Sequence, residues 1–308
     1  MPAYLPFAVR VVRVQRLSPT FVRVTVAGDS LAGFAGHGFD QRINLLFPAP
    51  GEGPEVLPTG PDWVERWQSV PADRRPPLRT YTVRAFRPER RELDLDFVLH
   101  GDVGPASRWA ARARSGDPLT VIGPVAGEPG PVTDVAWAPP AYAGRLLLAA
   151  DEAAVPAASS IVELLGPDVR ATVVLEVPEP ADVLAFDAPA GVTVIWLARS
   201  RGEALLPVVR ELVAELAPAV VGAGLNGSGR LPLLPVDGSP ADGSDQDDDL
   251  WEVPTSDDPD RPDGFYAWLA GEAGAVVAMR RHLVGERGVD RRAVAFMGYW
   301  RRGREQPN

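Results

Sequence analysis

Residues 145–166 read RLLLAADEAAVPAASSIVELLG: a short unbroken apolar run, an acidic pair, and then a helical stretch. A run of this kind suits a strand covered on both faces, and a helix directly behind it is the start of a βαβ unit. The pattern repeats downstream. ATVVLEVP (171–178) and VTVIWLAR (192–199) are two more buried-type strands, and EALLPVVRELVAELA (203–217) is an amphipathic helix. FYAWLAGE (265–272) runs into the helix AGAVVAMRRHLVGERG (273–288), and AVAFMGYW (293–300) is a last strand. Strands alternating with helices predict an α/β domain built on a parallel sheet.

Upstream the texture differs. FAVRVVRVQRLS (7–18) and FVRVTVAG (21–28) alternate apolar and polar residues across a short connection, as a half-buried hairpin does. RINLLFP (42–48), RTYTVRAF (79–86), ELDLDFVLH (92–100) and DPLTVIGP (117–124) follow, separated by Pro/Gly-rich loops. Six such strands predict a small antiparallel β-barrel. One helix interrupts them: GPASRWAARARSG (104–116) has Pro near its start and Gly at its end. The chain therefore reads as a barrel domain over 1–142 and an α/β domain over 143–308, with an acidic insertion at 222–264 inside the second. That insertion is rich in Gly, Ser, Pro and Asp, a composition that builds no core and predicts disorder.

The 308 residues suffice for two domains. No cysteine is present, which excludes disulfides, thiolate metal sites and iron–sulfur clusters. All 31 basic residues are arginine, so Schiff-base chemistry is excluded and any anion site must use Arg, His or backbone N–H groups. The net charge of −10 has a local origin: residues 237–263 carry eleven carboxylates and one arginine, and the remainder is balanced. No basic stripe suggests nucleic acid. No apolar run approaches a signal peptide or a membrane span, and the chain reads as soluble and cytoplasmic.

Two stretches carry candidate chemistry. On the strand beginning Arg79-Thr80-Tyr81-Thr82-Val83, Arg79 and Tyr81 share one face, with Thr80 and Thr82 on the other. An arginine can bind phosphate bidentately and a tyrosine can stack on a planar ring. At His100-Gly101-Asp102-Val103-Gly104-Pro105-Ala106-Ser107 a strand ends, a Gly-rich turn follows and a helix begins. N–H groups at a helix start cradle phosphates. Either stretch alone reads as easily as plain structure: an exposed strand, or a capped helix between strands. The pair, about 20 residues apart and followed by an α/β domain, is more specific.

With AADEAAVPA (149–157), YAWLAGEAGAVVAMRRHL (266–283) and GYWRRG (298–303), these motifs resemble the siderophore-interacting protein family of flavin-dependent ferric-siderophore reductases. The resemblance spans nearly everything outside 222–264. It implies an FAD-binding barrel followed by a nucleotide-binding α/β domain. It also implies transfer of reducing equivalents from NADPH or NADH to FAD and on to a ferric siderophore. By matching, Arg79, Thr80, Tyr81, Thr82 and Val83 would hold the flavin and its phosphate, and His100, Gly104, Pro105, Ala106 and Ser107 the pyrophosphate side. Asp151, Glu152, Glu272, Tyr299 and Trp300 would face the nucleotide or substrate cleft. Arg199 first and Arg201 second are the candidates for the 2′-phosphate of NADPH, since both follow a strand end. Members usually read close to GDETALPA where this chain has residues 150–157, and often carry Lys where it has Asn44. Two rival readings are an electron-relay module that docks an electron-donor protein and a general flavin reductase.

Overall fold

The computed structural model describes residues 4–48, 59–100, 104–141, 143–216, 251–252 and 264–303. The chain separates into two compact units, residues 1–135 and 136–305.

The first unit is built on β1 (Tyr4–Arg16), β2 (Phe21–Ala27) and β3 (Arg42–Leu46), then α1 (Trp63–Ser69), β4 (Leu78–Thr82), β5 (Ala85–Arg87), β6 (Glu92–Val98), α2 (Pro105–Arg112) and β7 (Pro118–Pro124). Seven strands form one curled antiparallel sheet, a half-barrel, in the order β4-β3-β7-β1-β2-β6-β5. There is one strand more than the sequence pattern suggested, because RTYTVRAF splits at Val83–Arg84 into β4 and β5. In β1 the alternation holds where it matters: Phe7, Val9 and Val11 are buried in the core with Val24, Leu95 and Val121. The alternate positions of β6, Asp94 and Asp96, are buried too, because arginines cover that face. Arg87 and Arg23 each bind one of these carboxylates through two N–H groups at 2.7 and 2.8 Å.

The second unit comprises β8 (Arg145–Ala150), α3 (Val155–Glu163), β9 (Ala171–Val177), β10 (Val192–Ala198), α4 (Leu205–Leu216), β11 (Trp251–Glu252), β12 (Phe265–Glu272), α5 (Ala273–Arg280) and β13 (Val294–Trp300). The sheet order is β10-β9-β8-β12-β13-β11. The first five strands are parallel, and β11 pairs antiparallel with β13 at the edge. Small residues let α3 pack closely. Its buried Ser159 and Ser160 stay satisfied by donating to the carbonyls of Val155 and Pro156, at 2.8 and 3.0 Å. The helix expected through residue 288 follows α5 only to Arg280 and then widens into a π-helical turn, Arg281–Glu286.

The strand order decides where a ligand can bind. From β8 the chain steps to β9 and β10 on one side, then returns to place β12 and β13 on the other. The topological switch point therefore lies between β8 and β12, and open α/β sheets bind ligands outside the carboxyl ends of the strands that flank it. Most of the acidic insertion falls outside the described residues. Trp251–Glu252 belongs to it and is ordered as β11.

Candidate functional site

In the barrel unit, the pairing of Asn44 with Thr80 and of Ile43 with Tyr81 fixes the two faces of β4. Leu78 packs with Leu46, Trp67 and Ile122 on one face, and Tyr81 joins the main barrel core on the other. Arg79 shares the Tyr81 face, is half-buried, and donates to the Leu78 carbonyl at 2.8 Å. Thr80, on the Leu78 face but itself exposed, donates to Asn44 Oδ1 at 2.8 Å. Thr82 and Val83 are buried, and the Val83 N–H donates to the Gln41 carbonyl at 2.9 Å.

Tyr81 lies in an aromatic box. Its ring centroid is 4.5 Å from that of Phe97, and Trp109 of α2 is 5.6 Å from Phe97 and 5.4 Å from Phe47. The strand with Arg79 and the helix headed by Gly104 are thus fastened to the same two phenylalanines. Burial pushes the Tyr81 hydroxyl above its usual range against the opposing charge of Arg79, so the ring is a neutral phenol at any physiological pH.

Residues 101–103 of the Gly-rich turn lie outside the described residues. Across that turn the His100 N–H donates to Ser107 Oγ at 3.1 Å. Ser107 is buried, and its hydroxyl ties the strand end to the first turn of α2. Gly104 caps the helix with φ of 80°, nothing stands within 4 Å of where a Cβ would be, and Pro105 follows. Among the described residues no side chain caps the helix, and its first turn holds no acid. Such a helix start, on the same aromatic box as a half-buried arginine, fits a dinucleotide phosphate.

In the α/β unit the candidates gather at the carboxyl ends of the strands. Asp151 follows β8 and is buried. Its Oδ2 accepts from the Glu272 N–H at 2.6 Å and from Trp300 Nε1 at 2.8 Å, and its Oδ1 accepts from the Ala153 N–H at 3.0 Å. Burial, and then the charge of Glu152, raise its carboxyl to about 7 in spite of these bonds. Glu272 caps α5 by accepting from the Ala275 N–H at 2.9 Å and takes the Arg302 N–H at 3.2 Å. Tyr299 and Trp300 end β13, both half-buried.

Arg199 is engaged by two carboxylates. Its guanidinium donates to both oxygens of the buried Glu152, at 2.7 and 2.5 Å, and to Glu176 at 2.8 Å. The other oxygen of Glu176 accepts the Leu205 N–H at 2.8 Å and so anchors the start of α4. A cation holding two buried carboxylates is committed to the fold and is a poor receptor for a 2′-phosphate. Arg201, two residues on, is exposed and has no partner among the described residues.

Five participants were not singled out from sequence. Glu176 is a lone charge in the apolar strand ATVVLEV, a pattern that itself signals a buried pair. Gly271 interrupts the strand FYAWLAGE, and glycine inside a strand marks close approach. Here φ is +141°, and a Cβ would stand 2.5 to 2.8 Å from the Asp151 carboxyl group. Phe47, Phe97 and Trp109 read only as core.

Residues 10–128 match the model of the siderophore-interacting FAD-binding domain, and residues 143–303 that of the siderophore-interacting protein. The chain belongs to the siderophore-interacting protein family. It is similar to the crystal structure of a siderophore utilization protein from T. fusca, with 31% identity, coverage of 100% of this chain and 97% of that one, and a TM-score of 0.68. It is 29% identical over 296 residues to the ferric vibriobactin reductase of Vibrio cholerae, covering 96% of this chain and 89% of the relative. A shorter match, 43% over 114 residues, links it to the NADPH-dependent ferric-chelate reductase of Escherichia coli, covering 37% of this chain and 42% of that protein. The ferredoxin reductase in carbazole 1,9a-dioxygenase shares the fold at 14% identity, with a TM-score of 0.57 and coverage of 96% and 70%. The two units are therefore the two halves of a ferredoxin-reductase-like fold. Among the described residues no helix of this family member is long and apolar enough to cross a membrane, and no group of three or more His, Asp or Glu could hold a metal.

Proposed function

We propose that the protein is a flavin-dependent NAD(P)H oxidoreductase that reduces ferric siderophores and so releases iron. The observation that carries this reading is the aromatic box, which joins the Arg79 strand to the Gly104 helix start within a chain that matches the siderophore-interacting FAD-binding domain. Ferric iron is held tightly by hard oxygen donors and ferrous iron much less so, so reduction suffices for release. FAD, when bound, accepts a hydride and passes on single electrons.

The chain supplies binding and orientation. Arg79 and the N–H groups at the head of α2 would hold the phosphates, and Tyr81, braced by Phe97, would give an aromatic edge beside them. His100 and Ser107 would keep the turn closed. On the α/β unit, Asp151, Glu272, Tyr299 and Trp300 would receive the nicotinamide end of the nucleotide at the switch point. Arg201 would meet the 2′-phosphate, in line with the NADPH dependence named for the Escherichia coli relative.

The test is a visible spectrum of the purified protein and its anaerobic titration with NAD(P)H, followed by addition of a ferric siderophore and a ferrous trap. The expected result is a yellow protein that NAD(P)H bleaches and the ferric chelate restores. A flavin bleached only by a reduced partner protein would turn the reading to an electron relay. Arg79→Ala should lower FAD affinity by about 1.5–3 kcal/mol, the worth of a hydrogen bond to a charged group.

A further inference from the structure

The Asp151 carboxylate is held from three places far apart in sequence. Ala153 lies on the turn after β8, Glu272 at the end of β12 and Trp300 at the end of β13, and each donates an N–H to it. Those strand ends flank the topological switch point. Gly271 has no side chain where the carboxyl group stands, so the backbone of β12 is shaped around it. All three neighbours are donors, and an ionised carboxylate, which only accepts, satisfies them all. A proton on Oδ2 would face the Trp300 indole and the Glu272 peptide, both of which need an acceptor.

We propose that Asp151 is a positioning residue of the nucleotide site: its ionised carboxylate fixes the Trp300 indole and the Glu272 peptide in the arrangement that receives the nicotinamide ring. The assignment rests on the functional reading above. Asp151 acts through these two groups, because its own oxygens are already engaged and it is buried. The charged groups around it are Glu152 on the same turn, which is itself bound by Arg199, and Glu272 at the end of β12. Beyond β13 come Arg301 and Arg302, and Arg302 meets Glu272 through its backbone N–H. Burial and Glu152 place the carboxyl at about 7, so the arrangement loosens as the pH falls through neutrality.

The experiment uses the full-length flavoprotein with Asp151→Asn, Trp300→Phe and the double variant. In the NMR spectrum the Trp300 indole N–H, identified by its loss in Trp300→Phe, should move with pH in the parent, with a midpoint near 7, and stay still in Asp151→Asn. The KM for NAD(P)H should rise about tenfold in each single variant, with flavin content nearly unchanged. The double variant should be no worse than either single one, since both remove one linked interaction. If Asp151→Asn does not fold, Trp300→Phe carries the same kinetic expectation with the carboxylate left in place. An indole resonance in the same place in the parent and in Asp151→Asn throughout pH 5 to 9, or losses that multiply in the double variant, would overturn the proposal. A titrating resonance with an unchanged KM overturns only the role given to Asp151. A parent flavin that NAD(P)H cannot reduce overturns the functional reading and this use of it together.

Discussion

Asp94 in the half-barrel and Asp151 in the α/β unit expose the same small share of their surface, 4% each, and each accepts three hydrogen bonds, but Asp151 lies deeper in the protein. Their acidities nevertheless move in opposite directions. Burial raises both. At Asp94 the bonds from Arg87 and Thr25 and the charge of Arg87 outweigh it, and the carboxyl falls below its ordinary value. At Asp151 the donors are two peptides and an indole, the nearest charge is the like charge of Glu152, and the carboxyl rises to about 7. Depth of burial and the charge of the partners together decide whether a carboxylate is locked or free to titrate; the bond count does not. Locked pairs build the barrel sheet, and the titrating group stands at the strand ends where ligands bind.

The largest effect should come from the place where the α/β unit imitates the barrel. Arg199→Ala leaves Glu152 and Glu176 buried without a cation, and should lower stability by about 3 kcal/mol in urea unfolding at pH 7. A loss below about 1 kcal/mol would mean that the two carboxylates are not held as the geometry indicates. Arg87→Ala should cost roughly 2 kcal/mol at pH 7, because Asp94 keeps Thr25 but loses its bidentate partner. Asp94 has a depressed acidity in the folded state. Its share of stability is therefore present above the unfolded carboxylate value and lost on acidification, and the gap between parent and variant should close toward pH 3.

Asp151 should give the opposite slope. Its folded form holds a proton up to about 7 while the unfolded carboxyl releases it near 4, so stability from this group falls as the pH rises between those values. From pH 5 to 8 the parent should lose roughly 2–3 kcal/mol more than Asp151→Asn. Parallel curves for the two proteins would remove the contrast with Asp94. The smallest structural effect belongs to Arg201→Ala: within about 0.5 kcal/mol of the parent in stability, as exposed substitutions usually are. Its kcat/KM for NADPH should nonetheless fall about tenfold with NADH unchanged. Equal losses with both nucleotides would move the 2′-phosphate elsewhere.

The architecture was largely legible because both units keep a plain period. Phe7, Val9 and Val11 alternate along β1, and β8, β9 and β12 read as mainly apolar runs beside their helices. What escaped had weak local signals. Trp63 and Trp67, four residues apart behind Pro61-Asp62, mark α1, but two aromatics make too short a stripe to stand out. Trp251–Glu252 sits among carboxylates, and only its pairing with Met297 and Phe296 makes it a strand. The sequence offers candidate residues for the site and gives no view of their partnerships. The sequence does not show that Glu152, 47 positions away, and Glu176, 23 positions away, fold against Arg199. Asp151 and Trp300 lie 149 positions apart, and nothing local announces their bond.

The short pairing of β11 with β13 has a practical consequence. A sheet that ends in an open strand offers its backbone to any other chain that passes, and two residues of antiparallel cover over Phe296 and Met297 blunt that offer. The acidic insertion therefore contributes a guard for the sheet edge as well as charge. Cutting out 237–260 whole would uncover β13 and invite self-association, whereas a deletion that stops before Trp251 would leave the guard in place.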